Sequence, residues 1–355
     1  MVGTDLDGKG GIRAAIRGLV DVGLFQRFNV TYVATHRYGS LWGKMTSALG
    51  GWLKVAYYLC RLDAPLVHVQ ASCRASFWRK SVVCFMARVA RRPYILHVHS
   101  GEFIDFYRSE CGPLGRYMIR RVFANARLVI ALSEPWRERL LEICPAANVD
   151  VLSNSVALPD AATTGAAEAA PQVPTLLYLG FIKHAKGTDD LVRAFARIAG
   201  KFPTLELLCG GTGSLEEMRQ LAASLGVGDR VSFPGWLGPE RKREAMRNAT
   251  IFILPSYAEG MPMSLMEAMA WGLPTIATPV GGILQMVTHQ KNGWLVPPGD
   301  IDALAAAIAR LLSDARLREQ LGAAARHTVE TGFTREAALA RLSQLYRRCG
   351  IESRA

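Results

Sequence analysis

Short runs of β-branched and other apolar residues alternate along the chain with stretches whose apolar residues recur every three to four positions. Such a pattern predicts strands joined by helical crossovers into parallel sheets. In the first half it predicts strands over 28–35, 66–70, 94–99, 128–132 and 149–152, and helices over 12–22, 52–61, 76–90, 114–126 and 135–143. A proline-bounded segment from Pro159 to Pro174, poor in large apolar residues, interrupts the series and reads as a linker. The alternation then resumes, with strands over 175–180, 205–209, 231–233, 251–254, 274–277 and 293–296 and helices between and after them. A chain of 355 residues ordinarily divides into about two domains. The reading is therefore α/β with two lobes: 1–155, a linker 156–173, and 174–334, while a last helix within 335–355 is expected to pack back on the first lobe.

Only Met1 to Thr4 precede the first glycine loop, so either the opening strand is very short or the natural start lies upstream. Half of the residues are hydrophobic and a fifth charged, which excludes a disordered chain. No basic-then-apolar leader opens the chain and no apolar run reaches the roughly 18 residues of a membrane span, so a cytoplasmic location is expected. Seven scattered cysteines without a C-x-x-C pair read as reduced packing residues. The net charge of +12 is concentrated early: 1–153 hold 21 Lys/Arg against 11 Asp/Glu, whereas 154–355 hold 21 against 19. Between Arg74 and Arg127, cations such as Arg79, Lys80, Arg88 and Arg120 interleave with Trp78, Phe85 and Tyr117. That face suits either plain solvent or an anionic lipid surface, where each aligned cation contributes about 1 kcal/mol. Without a zinc finger, RNP motif or helix-turn-helix, nucleic acid is not expected as a partner.

The densest chemistry follows the strand 251–254, in Glu259-Gly260-Met261-Pro262-Met263-Ser264, which leads into a helix ended by Gly272. Unsatisfied N–H groups at a helix start, aided by its dipole, form a natural cradle for a diphosphate. Glu259 and Glu267 make an E-x7-E pair. The same spacing recurs in Glu102/Glu110 and Glu134/Glu142, but only the pair 259/267 follows an apolar strand and a Pro-Ser-x-x-Glu-Gly loop. Further pieces come in order: Leu152-Ser-Asn-Ser-Val156, the turn from Tyr178 to Gly187, Gly210-Gly-Thr-Gly-Ser214, Val231-Ser-Phe-Pro-Gly235-Trp236, Gly281-Gly282, and Asn292 to Asp300.

This ordered set resembles the glycosyltransferase family 4 enzymes of the GT-B fold, over nearly the whole chain and most strongly from Leu177 to Asp300. The resemblance implies two Rossmann-like domains facing each other across a cleft, the second binding a nucleotide-sugar donor. It implies sugar transfer from a nucleoside diphosphate to an acceptor with retention at the anomeric carbon, and neither cofactor nor metal. Carried onto this sequence, Glu259 contacts the transferred sugar, Glu267 the ribose and Lys186 the diphosphate. Gly10 and Gly11 let the backbone approach the phosphates, and Gly260 to Ser264 form the cradle. Gly235 and Trp236 border the base. His99, at the carboxyl end of its strand and on the same face as His97, is the histidine near the sugar. The family's arginine after the strand glycine is replaced by Phe181, and Lys183 is the candidate to compensate. Arg13 and Glu102 are assigned either to the phosphate or acceptor side or to plain surface.

The acceptor expected is a lipid-linked or other envelope saccharide, as in exopolysaccharide, capsule or lipopolysaccharide assembly, handled on the inner face of the cytoplasmic membrane. Because fold does not fix function, two rivals stand beside this reading. One is a nucleotide-sugar epimerase of similar fold, which needs no acceptor. The other is a catalytically silent nucleotide-sugar-binding partner of another transferase.

Overall fold

The computed structural model describes residues 1–7, 10–37, 40–61, 65–160 and 173–352; Gly8 and Lys9 of the first glycine loop and 161–172 of the linker lie outside the described residues. The chain forms two compact units, Met1–Ser155 with Arg335–Ala355, and Val156–Thr334.

The first unit holds a parallel sheet in the order β2-β1-β3-β4-β5-β6. Its strands are β1 (Val2–Gly3), β2 (Val33–Ala34), β3 (Val67–Ala71), β4 (Tyr94–Val98), β5 (Leu128–Ala131) and β6 (Val149–Val151). Strands β3, β4 and β5 are buried at every position, as expected where helices cover both faces. Helices Leu41–Arg61, Arg74–Val89 and Pro113–Ala124 cover one face through Val55, Phe77, Val83, Ile119 and Phe123. The other face is closed by Gly11–Asp21 and by the late helix Arg335–Arg348, whose Leu339, Leu342 and Tyr346 pack with Ile95 and Ile130. Arg341 and Arg348 of that helix both reach Asp150, and Arg335 pairs with Asp21 at 2.9 Å.

Two predicted elements change here. The strand expected over 28–35 shrinks to Val33–Ala34, because Leu24–Phe28 forms a helical turn closed by Asn29 at φ 48°, and Phe28 packs edge-on against Tyr346. The helix expected over 52–61 extends back to Leu41 through three glycines that hide its periodicity. Gly51 is needed there: a Cβ would lie 2.7 Å from the Ala34 carbonyl oxygen of edge strand β2.

The basic face is also thinner than its sequence. Lys80 is buried, donating to the Gly3 carbonyl at 2.8 Å and to the Thr35 hydroxyl, and burial with Arg79 nearby pushes its ammonium down to about 7. Arg74 is held by Glu102 at 2.6 Å and by Glu110, which gives Glu102 an ion-pairing role inside this unit. All seven cysteines are unpaired.

The second unit repeats the plan with a parallel sheet in the order β12-β11-β10-β7-β8-β9. Its strands are β7 (Thr175–Leu179), β8 (Glu206–Gly210), β9 (Val231–Gly235), β10 (Ile251–Leu254), β11 (Thr275–Ala277) and β12 (Trp294–Leu295). Strand order reverses between β7 and β10. In open α/β sheets a ligand crevice lies outside the carboxyl ends of the strands at such a reversal, which directs attention to the loops after β7 and β10.

Candidate active site

Those two loops are pressed together by glycine. Gly187 closes the turn after β7 at φ 64°, and a Cβ on it would lie 2.1 Å from the Pro255 carbonyl oxygen. Tyr257 N–H donates to the Ala185 carbonyl at 3.1 Å, and the Tyr257 hydroxyl donates to Asp190 at 2.8 Å. The contact delivers Lys186 to the β10 loop: its Nζ lies 2.8 Å from Glu259 Oε1 and donates to the Ala258 carbonyl at 2.9 Å. The Ser256 hydroxyl donates to the same carboxylate oxygen at 2.8 Å. Both members of the pair are mostly buried, with 19% and 12% of the side chains exposed, so their attraction is only weakly screened.

Past Glu259 the chain enters helix Met263–Ala270 with Pro262 as its N-cap residue, whose side chain makes no capping hydrogen bond to the helix's first N–H groups. Gly282 supports this turn from the β11 side, donating to the Gly260 carbonyl at 2.8 Å, where a Cβ would approach that oxygen to 2.1 Å. The Gly210-Gly-Thr-Gly213 loop is stitched to the β7 loop in the same way. Ile182 N–H donates to the Thr212 carbonyl at 2.8 Å, and a Cβ on Gly211 would lie 1.7 Å from the Gly180 oxygen. Gly235 accepts from Gly211 N–H at 2.8 Å, and Trp236 beside it is half-exposed. The floor of the site is therefore main chain against main chain. Above it stand one lysine–carboxylate pair and a helix start with open donors, an arrangement suited to an anion carrying hydroxyl-rich groups.

Glu267 lies about one turn into the helix, and its carboxylate meets Lys242 of helix Pro239–Asn248 at 2.6 Å. No spacing in the sequence signals Lys242. Lys183 Nζ stands 5.9 Å from the centre of the half-exposed Phe181 ring. The residue in the place of the family's arginine thus holds a neighbouring cation by its π face.

Gly10, Gly11 and His99 belong to the first unit. Gly10, at φ 119°, caps helix Gly11–Asp21. Arg13 bonds back to the Leu6 carbonyl. Asp5 and Asp7 lie beside Arg37 at 2.8 Å and Arg17 at 3.7 Å respectively. His99 follows β4, its ring stacked on His97 at 4.0 Å and its Nε2 2.6 Å from Gln70 Oε1. Gln70 Nε2 faces His68 Nε2 at 3.1 Å, and His68 Nδ1 faces the Tyr346 hydroxyl at 2.7 Å. With the Gln70 oxygen accepting, His99 carries its proton on Nε2 and leaves Nδ1 as an acceptor. His99 is partly open to solvent at its edge, yet desolvation against these neighbours pushes it, like His68, down to about 3; His97, fully buried, is held well below its ordinary value.

This trio has a consequence for stability. The unfolded chain protonates its imidazoles near pH 6.5, whereas the folded chain resists until about pH 3, so stability falls as pH drops below 6.5. The slope is about 1.4 kcal/mol per pH unit for each imidazole. Thermal unfolding between pH 6.5 and 5, above the carboxylate range, is expected to show this fall, and His97→Phe should flatten it. Equal slopes in the two proteins would contradict the neutral stack.

Residues 165–328 match the family model of glycosyl transferases group 1, and residues 13–155 match that of the glycosyl transferase 4-like domain. The chain belongs to the family-4 glycosyltransferases. Amylovoran biosynthesis glycosyltransferase AmsK of Erwinia amylovora is 30% identical over 236 residues, covering 64% of this chain and 58% of that protein. The chain spans about half the length of the curated relatives it matches. Among solved structures, sucrose-phosphate synthase of Thermosynechococcus elongatus superposes with a TM-score of 0.78 at 24% identity, covering 98% of this chain and 97% of that one. Anabaena HepE in complex with UDP-glucose does so with 0.75 at 20% identity, covering 98% of each. These structures share the GT-B fold, as the two six-stranded parallel sheets require. In this family-4 chain, Lys186, Glu259, Gly260 to Ser264 and the helix carrying Glu267 share the carboxyl edge of one sheet.

Proposed function

We propose that the chain transfers a glycosyl group from a nucleoside diphosphate sugar to a saccharide hydroxyl, retaining the anomeric configuration. The observation that carries this reading is the Lys186–Glu259 pair beside the uncapped start of helix Met263–Ala270. In the proposed step the anomeric C–O bond to the diphosphate breaks while the acceptor oxygen bonds to the same face of the sugar. The acceptor proton passes to a departing phosphate oxygen. Lys186 and the N–H groups of Met263 and Ser264 receive the charge that develops on the leaving group. Glu259 fixes sugar hydroxyls, Glu267 fixes the ribose once Lys242 yields to it, and Gly235 and Trp236 border the base. Gly10, Gly11 and His99 of the first unit are assigned to the phosphates and the sugar. No metal or cofactor enters the step.

The HepE complex supports a nucleotide-sugar donor, and the relative named for amylovoran biosynthesis supports a role in saccharide assembly; the acceptor in this reading is a lipid-linked envelope saccharide handled at the inner face of the cytoplasmic membrane. Among the described residues no helix is long and apolar enough to cross a membrane. Phe181 favours a second reading, a silent nucleotide-sugar-binding partner, and one assay separates the two. UDP-, GDP- and ADP-sugars are supplied with crude lipid extract and nucleotide release is followed. One donor should be cleaved, the product should keep the donor's anomeric configuration, and Glu259→Gln should lower the rate about ten- to a hundredfold. Binding without turnover would leave the silent partner, and a full rate in the variant would remove Glu259 from the mechanism.

A further inference from the structure

The helix Leu41–Arg61 is apolar on two sides. Its inner side, with Ala48, Gly51, Val55 and Leu59, packs on the first unit's sheet. Its outer side carries Trp42, Met45, Leu49, Leu53 and Tyr57 at helical spacing, with Trp42 78% and Leu53 63% exposed. The stripe does not end with that helix. Arg74–Val89, packed beside it, exposes Val82, Phe85 and Val89, and Pro113–Ala124, packed beside that one in turn, exposes Leu114, Tyr117 and Met118. Isolated exposed apolar residues are ordinary, whereas rows of them on three adjacent helices make a contiguous patch that marks an interaction surface.

Charge decides the occupant. None of the three helices contains an aspartate or a glutamate, and their exposed cations are Lys44, Lys54, Arg61, Arg74, Arg88, Arg120 and Arg121, of which Arg74 is paired with Glu102 and Glu110. Lys54 and Arg61 border the stripe of the first helix on one side, about 100–120° around the axis from Trp42. Large apolar and aromatic side chains bordered by cations, on a helix too polar overall to span a bilayer, are the composition of a helix lying in the interface of an anionic membrane. A second copy of the chain fits less well, since two such faces would set the cations of these helices against one another.

We infer that the first unit docks on anionic phospholipid through this face, with Trp42, Met45, Leu49, Leu53 and Tyr57 entering the acyl boundary and the flanking lysines and arginines meeting headgroups. The inference extends the lipid-linked acceptor proposed above, but it is tested without turnover, so either can fail alone. In flotation with vesicles of equal phosphatidylcholine and phosphatidylglycerol, the full chain rises with the lipid, and it does not rise with phosphatidylcholine alone. Added salt weakens the attachment without abolishing it, because screening acts on the charges and leaves the apolar contact. The double variant Leu49→Asp/Leu53→Asp binds at least about tenfold more weakly, with an unchanged unfolding midpoint and unchanged lipid-free donor cleavage. Trp42→Ser, a single change at the first turn, gives a smaller loss in the same direction should the double variant fold poorly. The inference is overturned if the wild type ignores anionic vesicles, if folded variants float as well as the wild type, or if sedimentation shows a dimer that the variants dissolve.

Discussion

Lys186→Met is expected to lower the rate of nucleotide release by about 10²–10³-fold, the usual cost of removing one donor aimed at charge that develops in a transition state. The methionine keeps the length of the stem, so the loop after β7 retains its packing. The loss should appear mainly in kcat, because the lysine acts most strongly when the phosphate takes up its charge. The variant also strands Glu259 without its cation; with part of the pair open to water, the cost to stability should stay below about 3 kcal/mol. Lys186→Met/Glu259→Gln separates the two effects. It should recover the stability and none of the rate. A double variant as active as wild type, or a loss confined to KM, would show that the lysine only shapes the loop.

Gly187→Ala is expected to injure stability and activity together. Left-handed backbone costs a non-glycine residue about 1–2 kcal/mol, and here the new methyl would also collide with the Pro255 carbonyl, a rigid main-chain atom. The combined cost should exceed about 3 kcal/mol, and in a unit of this size each kcal/mol lowers the unfolding midpoint by about 2–4 °C. Because Lys186 precedes this glycine, the shift that relieves the collision also carries Nζ away from Glu259, and nucleotide release should fall with it. Gly200→Ala is the control: nothing lies within 4 Å of a Cβ there and the backbone φ is not left-handed. Scanning calorimetry that placed both variants at the wild-type midpoint would refute the argument.

The parts of this molecule that could be read from sequence are those whose cause is local. Strand β10, the loop through Glu259 and the helix start at Met263 follow from an apolar run, a proline and a glycine within some twenty residues, and the fold class follows from repeating that alternation. Parts created by distant neighbours could not be read. Lys242 finds Glu267 only because helix Pro239–Asn248 returns across the sheet. Lys80 looks like one more cation in a basic run, and it is buried because the Gly3 carbonyl of β1 and the Thr35 hydroxyl just past β2 await it. His99 can be placed at a strand end from its alternation, but its tautomer depends on Gln70 from the neighbouring strand. The outward row on helix Leu41–Arg61 is not legible in the sequence because Gly43, Gly50 and Gly51 break the helical pattern.

The path of the chain also sets an order of assembly. Val156–Thr334 is one uninterrupted stretch and can close its core as soon as it leaves the ribosome, whereas the first unit waits for Arg335–Arg348. Until that helix is made, Ile95, Ile130 and Leu152 lack their cover of Leu339, Leu342 and Leu345, and the half that was synthesised first is the half completed last. During that interval the nascent chain carries an open hydrophobic sheet face, the kind of surface that chaperones shield.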